Sequence, residues 1–189
     1  MARLQPSDLR AHPRDLVAEA LREYGEHAVI DCCLALLEGE VEYASLPVPM
    51  AFFGMRSWAD APRAQLTARD LDFWPRTWGA RGLLYAWMPY AEPGVVRGLG
   101  DRHWRVREMC AKVVVHRELG SAADVLIPLV DDEVTRVRVA AIRALALVGE
   151  YEGAQRVVGT DVSEPTVRVA AAAALRALRL RLDRTIEAQ

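Results

Sequence analysis

DRHWRVREMCAKVVVHRELG, residues 101–120, decides the fold, because its arrangement of residue types returns on both sides of it. Arg107 has counterparts 31 residues away in each direction, Arg76 and Arg138, and Arg168 stands 30 beyond the second. Six residues before each of the first three arginines is an aspartate: Asp70, Asp101 and Asp132. Asp161 precedes Arg168 by seven. A fixed period near thirty marks one supersecondary unit stacked on copies of itself, because a single unit cannot bury its apolar face alone.

Outward from this stretch, each unit from about residue 63 reads as a short first helix, an aspartate-bearing turn and a longer second helix. RAQLTARD leads into FWPRTWGARGLLYAW, and EPGVVRGLGD into HWRVREMCAKVVVHRELG. SAADVLIPLVDD then leads into VTRVRVAAIRALALVGE, and GAQRVVGTDV into EPTVRVAAAAALRALRLRL. Pro75 and Pro165 fall in the first turn of second helices, where a missing N–H does little harm. Gly120 and Gly149 fall where second helices should stop. In the third unit Val137, Ala140, Ala141, Ala144, Leu145 and Val148 form an apolar stripe wide enough for two neighbours. The last helix ends in Arg176, Arg179, Arg181 and Arg184, a charged face for the end of the stack.

Residues 1–62 lack the period. After Pro13 a helix is expected with Leu16, Ala20, Leu21 and Tyr24 on one face, stopped by Gly25. HAVIDCCLALLEGE is apolar on most sides, which suggests cover from two directions. Pro47 and Pro49 open MAFFGMRSW, a short helix with Met50, Phe53 and Trp58 turned inward, and Asp60, Ala61 and Pro62 then break the chain. The reading is a helical N-terminal cap over 1–62 and a single continuous repeat stack over 63–189, about four units long.

Bulk properties narrow the function. Twenty-four basic and 26 acidic side chains leave a formal charge of −2. Residues 1–94 hold 9 basic and 13 acidic groups, and residues 95–189 hold 15 and 13, a mild asymmetry. Nothing global therefore points to nucleic acid or to membrane. Cys32, Cys33 and Cys110 include no CxxC pair and form an odd set, which reads as reduced thiols in a cytoplasmic protein. No apolar run is long enough to span a bilayer, and the N-terminus lacks the apolar core of a signal peptide.

The order D-x5-R, then VR, A, AL and LG along the second helix, resembles the HEAT repeat, particularly its shorter forms of about thirty residues. DDEVTRVRVAAIRALALVGE matches closely, and residues 101–120 match well, with Val113 and Val114 where AL is expected. Pro75 and Gly82 are departures in the first unit. The resemblance covers roughly residues 63–182 and implies an all-α, right-handed solenoid of helical hairpins. It implies a fold more strongly than a task, because such repeats serve many.

The aspartate–arginine series has a structural explanation. The aspartate accepts from backbone N–H groups at the start of its helix, and the arginine reaches the aspartate of the adjoining unit. A second basic set repeats too: Arg81, Lys112 and Arg143 are 31 apart, as are Arg105 and Arg136, and Trp74 takes the place equivalent to Arg105. Stacking lines these residues along the second-helix surface, usually the concave one. Either a solvated face or a groove for an acidic peptide, acidic protein surface or phosphate backbone explains them.

Trp74, Trp78, Trp87 and Trp104, with Tyr85 and Tyr90, read as filling between cap and stack. HEAT-like DNA alkylation-repair glycosylases are similar in general design, which implies an aromatic cleft, basic phosphate ligands and a catalytic aspartate. Asp72 and Asp101 are the candidates here, although capping explains each, and duplex DNA favours a more basic chain. Repeats of this length also resemble those of bilin-attachment lyases, with nothing outside them to support that chemistry. His12, His27, His103 and His116 are scattered, and neither a zinc motif, a phosphate loop nor GxSxG occurs. The expectation is a non-catalytic scaffold or adaptor without metal or cofactor. It would bind a protein partner through Trp74, Arg81, Arg105, Lys112, Arg136 and Arg143, with nucleic acid as the alternative partner.

Overall fold

The computed structural model describes residues 5–54 and 62–182. Among them every regular element is helical and no strand occurs. Trp58, Asp60, Ala61 and Arg184, each given a place above, lie outside the described residues. The chain forms two compact units, residues 1–98 and 99–189. The first contains both the expected cap and the first expected helical pair.

In the first unit α1 (Pro13–Tyr24) starts on His12, whose Nδ1 accepts from the Arg14 N–H at 3.2 Å, with Pro13 at the first helical position. Leu16, Val17 and Ala20 form its buried face, and Gly25 ends it at φ 81°. The next helix, α2 (Glu26–Glu38), buries Val29, Ile30, Cys32, Cys33, Leu36 and Leu37, the two-sided cover its composition implies. Met50–Phe53 make one 3-10 turn, and all four residues are buried. Two helices follow, α3 (Arg63–Ala68) and α4 (Phe73–Gly82). The second stops at Gly82, short of the LLYAW that sequence pattern assigns to it. The last, α5 (Glu92–Gly98), packs on α2.

α4 crosses α2 so closely that a Cβ on Gly79 would lie 2.4 Å from the Cys33 carbonyl oxygen and 2.8 Å from the Leu37 nitrogen. Gly82, one of the departures from the repeat pattern in this unit, has the same physical cause. Gly82 would bring its Cβ within 2.4 Å of the Cys33 Sγ, so both glycines serve the approach of α2.

In the second unit α6 (Trp104–Arg117) packs against α8 (Thr135–Val148), and α8 against α10 (Pro165–Leu182). Shorter first helices accompany them, α7 (Ala123–Leu126) and α9 (Tyr151–Val158). The first of these is broken into 3-10 turns on either side, at Gly120–Ala122 and at Pro128–Asp131, where Pro128 lacks an N–H for a continuous ladder. The whole stripe expected on α8 is buried, together with Ile142. Leu178 and Ala154 are fully buried where α10 meets α9, with Val158, Leu175 and Leu182 packed around them.

Gly149 closes α8 by donating its N–H to the Leu145 carbonyl at 2.8 Å. Gly120 does not close α6. Glu118, in the left-handed region at φ 53°, is the cap, with its N–H on the Val114 carbonyl. Leu119, buried beside it, donates to the same carbonyl at 3.3 Å. Burial of Leu119 offsets a backbone conformation that glycine would adopt without strain.

Candidate functional site

The aspartates shape the turns that present the second helices. Asp101 Oδ1 accepts from the His103 N–H at 2.7 Å, Asp132 Oδ1 from Val134 at 2.9 Å and Asp161 Oδ1 from Ser163 at 2.9 Å. Each closes a turn two residues ahead, a geometry open to a short carboxylate. Asp161 therefore keeps the turn although it stands one place off the repeat. Asp70 makes no such turn. It sits at φ 54°, and Asp72 instead pairs with Arg76 at 2.7 Å inside the same unit.

The arginines divide likewise. Arg107 reaches Asp132 of the adjoining repeat with two arms and also donates to the Asp101 carbonyl at 2.9 Å. Arg138 goes to the Asp161 carbonyl oxygen rather than to its carboxylate, and to Val130 O at 3.2 Å. Arg168 is exposed. The expected arginine-to-next-aspartate contact is made in full between Arg107 and Asp132.

The six expected partner-binding residues lie in two places. In the first unit Trp74 is partly covered, 5.0 Å from Phe73 and 5.9 Å from Trp78 between ring centres. Arg81 does not stand in an open strip. It donates to the Phe53 carbonyl at 2.6 Å, tying α4 to the 3-10 turn, and burial lowers its pKa.

The other four share the exposed side of α6 and α8. Arg105 and Arg136 both lie over the Trp104 indole, their guanidinium carbons 4.2 and 5.4 Å from the ring centre. Glu108, only 8% exposed, lies beneath Arg136 and Lys112. Its Oε1 accepts from Lys112 Nζ at 2.8 Å and from Arg136 Nε at 3.1 Å. Arg143, the equivalent of Lys112 on α8, is exposed.

Trp104 and Glu108 are the residues that the repeat pattern alone does not pick out. Trp104 stacks on His103 at 5.9 Å and carries Arg105 and Arg136 over its ring. Glu108 had a local signal, since it stands four before Lys112 and four after Trp104 on one helix face. The arrangement offers a flat apolar ring, two guanidiniums held at set positions and an ammonium, with one carboxylate already satisfied. Such a surface accepts carboxylates with adjacent apolar groups.

Asp101 and Asp72 are engaged as described, and Cys33 and Cys110 have their thiols pushed well up by burial. Among the described residues no group of three or more His, Cys, Asp or Glu is gathered to hold a metal. No described helix is long and apolar enough to cross a membrane.

Residues 92–179 match the family model of HEAT repeats. No curated protein and no solved structure matches the chain.

Proposed function

We propose that this chain, a HEAT-repeat protein over residues 92–179, is a non-catalytic scaffold that binds an acidic segment of a protein partner. Trp104, Arg105, Lys112, Arg136 and Arg143 form the receiving surface. The observation that carries this reading is the sharing of one indole by Arg105 and Arg136, cations 31 residues apart on the second helices of adjoining repeats.

Two features favour a protein over a nucleic acid. Trp and Arg together are enriched at the energetic centres of protein interfaces. The cations are also few, and Lys112 and Arg136 are anchored on a buried carboxylate, whereas a phosphate backbone is tracked by many unopposed charges. Occupied aspartates support the non-catalytic part: Asp72 is held by Arg76, and Asp101 serves its own turn. Trp74 and Arg81 belong to the other compact unit and are left out of the surface.

The test is affinity capture from the source cells with immobilised wild type and with the double variant Arg105→Glu, Arg143→Glu. Arg136 is kept, since its reversal would also strip Glu108 and confuse folding with binding. The expected result is a partner lost in the double variant while the helical signal is unchanged. Equal capture by both proteins would leave the cations as a solvated face. Salt-sensitive binding of a labelled DNA duplex would favour the nucleic-acid reading instead.

A further inference from the structure

The outer face of α10 carries the positions by which α6 and α8 each receive the next second helix. Glu108, Val139 and Val169 are equivalent in the repeat, at spacings of 31 and 30, as are Ala111, Ile142 and Ala172, and Val115, Ala146 and Arg176. On α6 this row meets α8, as the Glu108–Arg136 contact shows directly. Glu108 and Ala111 are buried there, and Ile142 is buried on α8, which packs on α10. On α10 the same row is open: Val169 is 69% exposed, Ala172, Ala173 and Arg176 are exposed, and Leu180 is 86% exposed. At 100° per residue these side chains point within one face, opposite the buried Val167, Ala170, Ala171, Ala174 and Leu178.

Charge selects the occupant. α10 carries Arg168, Arg176, Arg179 and Arg181, and no aspartate or glutamate anywhere from Pro165 to Leu182. Arg176 lies in the middle of the apolar row, between Ala172 and Leu180. A second copy laid α10 against α10 would bring guanidinium groups face to face, an unfavourable pairing in a surface being desolvated. A helix with apolar residues on one side and carboxylates among and beside them satisfies both the row and its charges, as Glu108 does for Arg136 inside the stack.

We infer that the outer face of α10, open among the described residues, docks an acidic amphipathic helix of a protein partner. Val169, Ala172, Ala173 and Leu180 form the apolar seat, and Arg176 receives a carboxylate. This seat is separate from the Trp104 surface and does not depend on it.

A fluorescein-labelled 20-residue peptide of leucine and glutamate, with leucines at i, i+3, i+4 and i+7, tests this by anisotropy against the full chain. Saturable binding is expected, weakened at least tenfold by Val169→Asp or by Arg176→Glu, and at least tenfold when lysine replaces glutamate in the peptide. Arg143→Glu, on the Trp104 surface, removes that surface's share of the binding, and in this background the losses from Val169→Asp and Arg176→Glu should persist at full size, so that the two surfaces are read separately. Leu180→Ser, at a nearly fully exposed position, serves as a second variant if Val169→Asp loses helicity. The idea is overturned by absence of binding, by equal binding of the lysine peptide, or by indifference to the α10 variants. It is also overturned by a dimer in sedimentation velocity that Val169→Asp disperses, which would make the occupant a second copy.

Discussion

Arg107 holds Asp132 in a two-armed contact, Nε to Oδ2 at 2.7 Å and Nη2 to Oδ1 at 2.9 Å, across 25 residues of chain. Both side chains are nearly covered, at 11% and 5% exposure. The same Asp132 carboxylate accepts from the Val134 N–H, so one residue both forms its own turn and fixes the register of the preceding repeat. Arg107→Ala leaves a covered carboxylate without its cation and should cost about 3 kcal/mol in urea unfolding. Asp132→Asn retains an oxygen for Val134 and should cost about 1 kcal/mol less than Asp132→Ala. Equal costs for the two aspartate variants would show that the turn contributes nothing.

Gly79→Ala separates close approach from helix preference. Alanine in a helix interior gains about 0.5–1 kcal/mol over glycine. Against this, the new methyl must push α2 backbone atoms away, at the Cys33 oxygen and Leu37 nitrogen, and overpacking of that kind costs about 1–3 kcal/mol. Net destabilisation is expected. Gly120→Ala meets nothing within 4 Å and should be near neutral. A thermal melt of Gly79→Ala at or above wild type would disprove the tight crossing.

The second unit was readable because its period is carried by packing positions, and its burial follows that period. Val137, Ala141 and Leu145 had to face neighbours whatever the partner helix was. The first unit obeys local geometry that spacing does not report. Arg81 fits the 31-residue series, yet it turns to the Phe53 carbonyl, because a 3-10 turn that is not part of the repeat lies beside α4. Trp104 was legible as an aromatic but not as a platform, since the cation from α8 reaches it through tertiary packing alone. Glu118 capping α6 in place of Gly120 is a similar case: burial of Leu119 decided the helix end against local preference.

Asp161 should titrate below the ordinary aspartate range. The Ser163 N–H and then its hydroxyl, each donating at 2.9 Å, favour the charged carboxylate. A lowered folded pKa means that the turn's contribution is full above the unfolded aspartate value. It fades as pH falls through the lower, folded value. Ser163→Ala keeps the stronger backbone donor and should move the titration only part of the way back, whereas Ser163→Pro should move it further. Side-chain carbon NMR reads all three, and an Asp161 that titrates at the ordinary value in wild type would refute the turn.

Glu108 links stability to the proposed surface. It holds Lys112 and Arg136, whose side chains are 44% and 64% exposed, so solvent screens both pairs and Glu108→Ala should cost only about 1 kcal/mol. The larger effect should be on position. Without the carboxylate, Arg136 loses the anchor that keeps it over Trp104, where a cation over an indole is worth about 0.5–1 kcal/mol. The Trp104 emission, taken as the difference from Trp104→Phe, should therefore change in Glu108→Ala, and partner capture should weaken. Glu108→Gln still offers an oxygen to both donors and should fall between wild type and alanine in both readings. If Glu108→Ala leaves the Trp104 emission as it was, Arg136 is held over the ring by something other than this carboxylate.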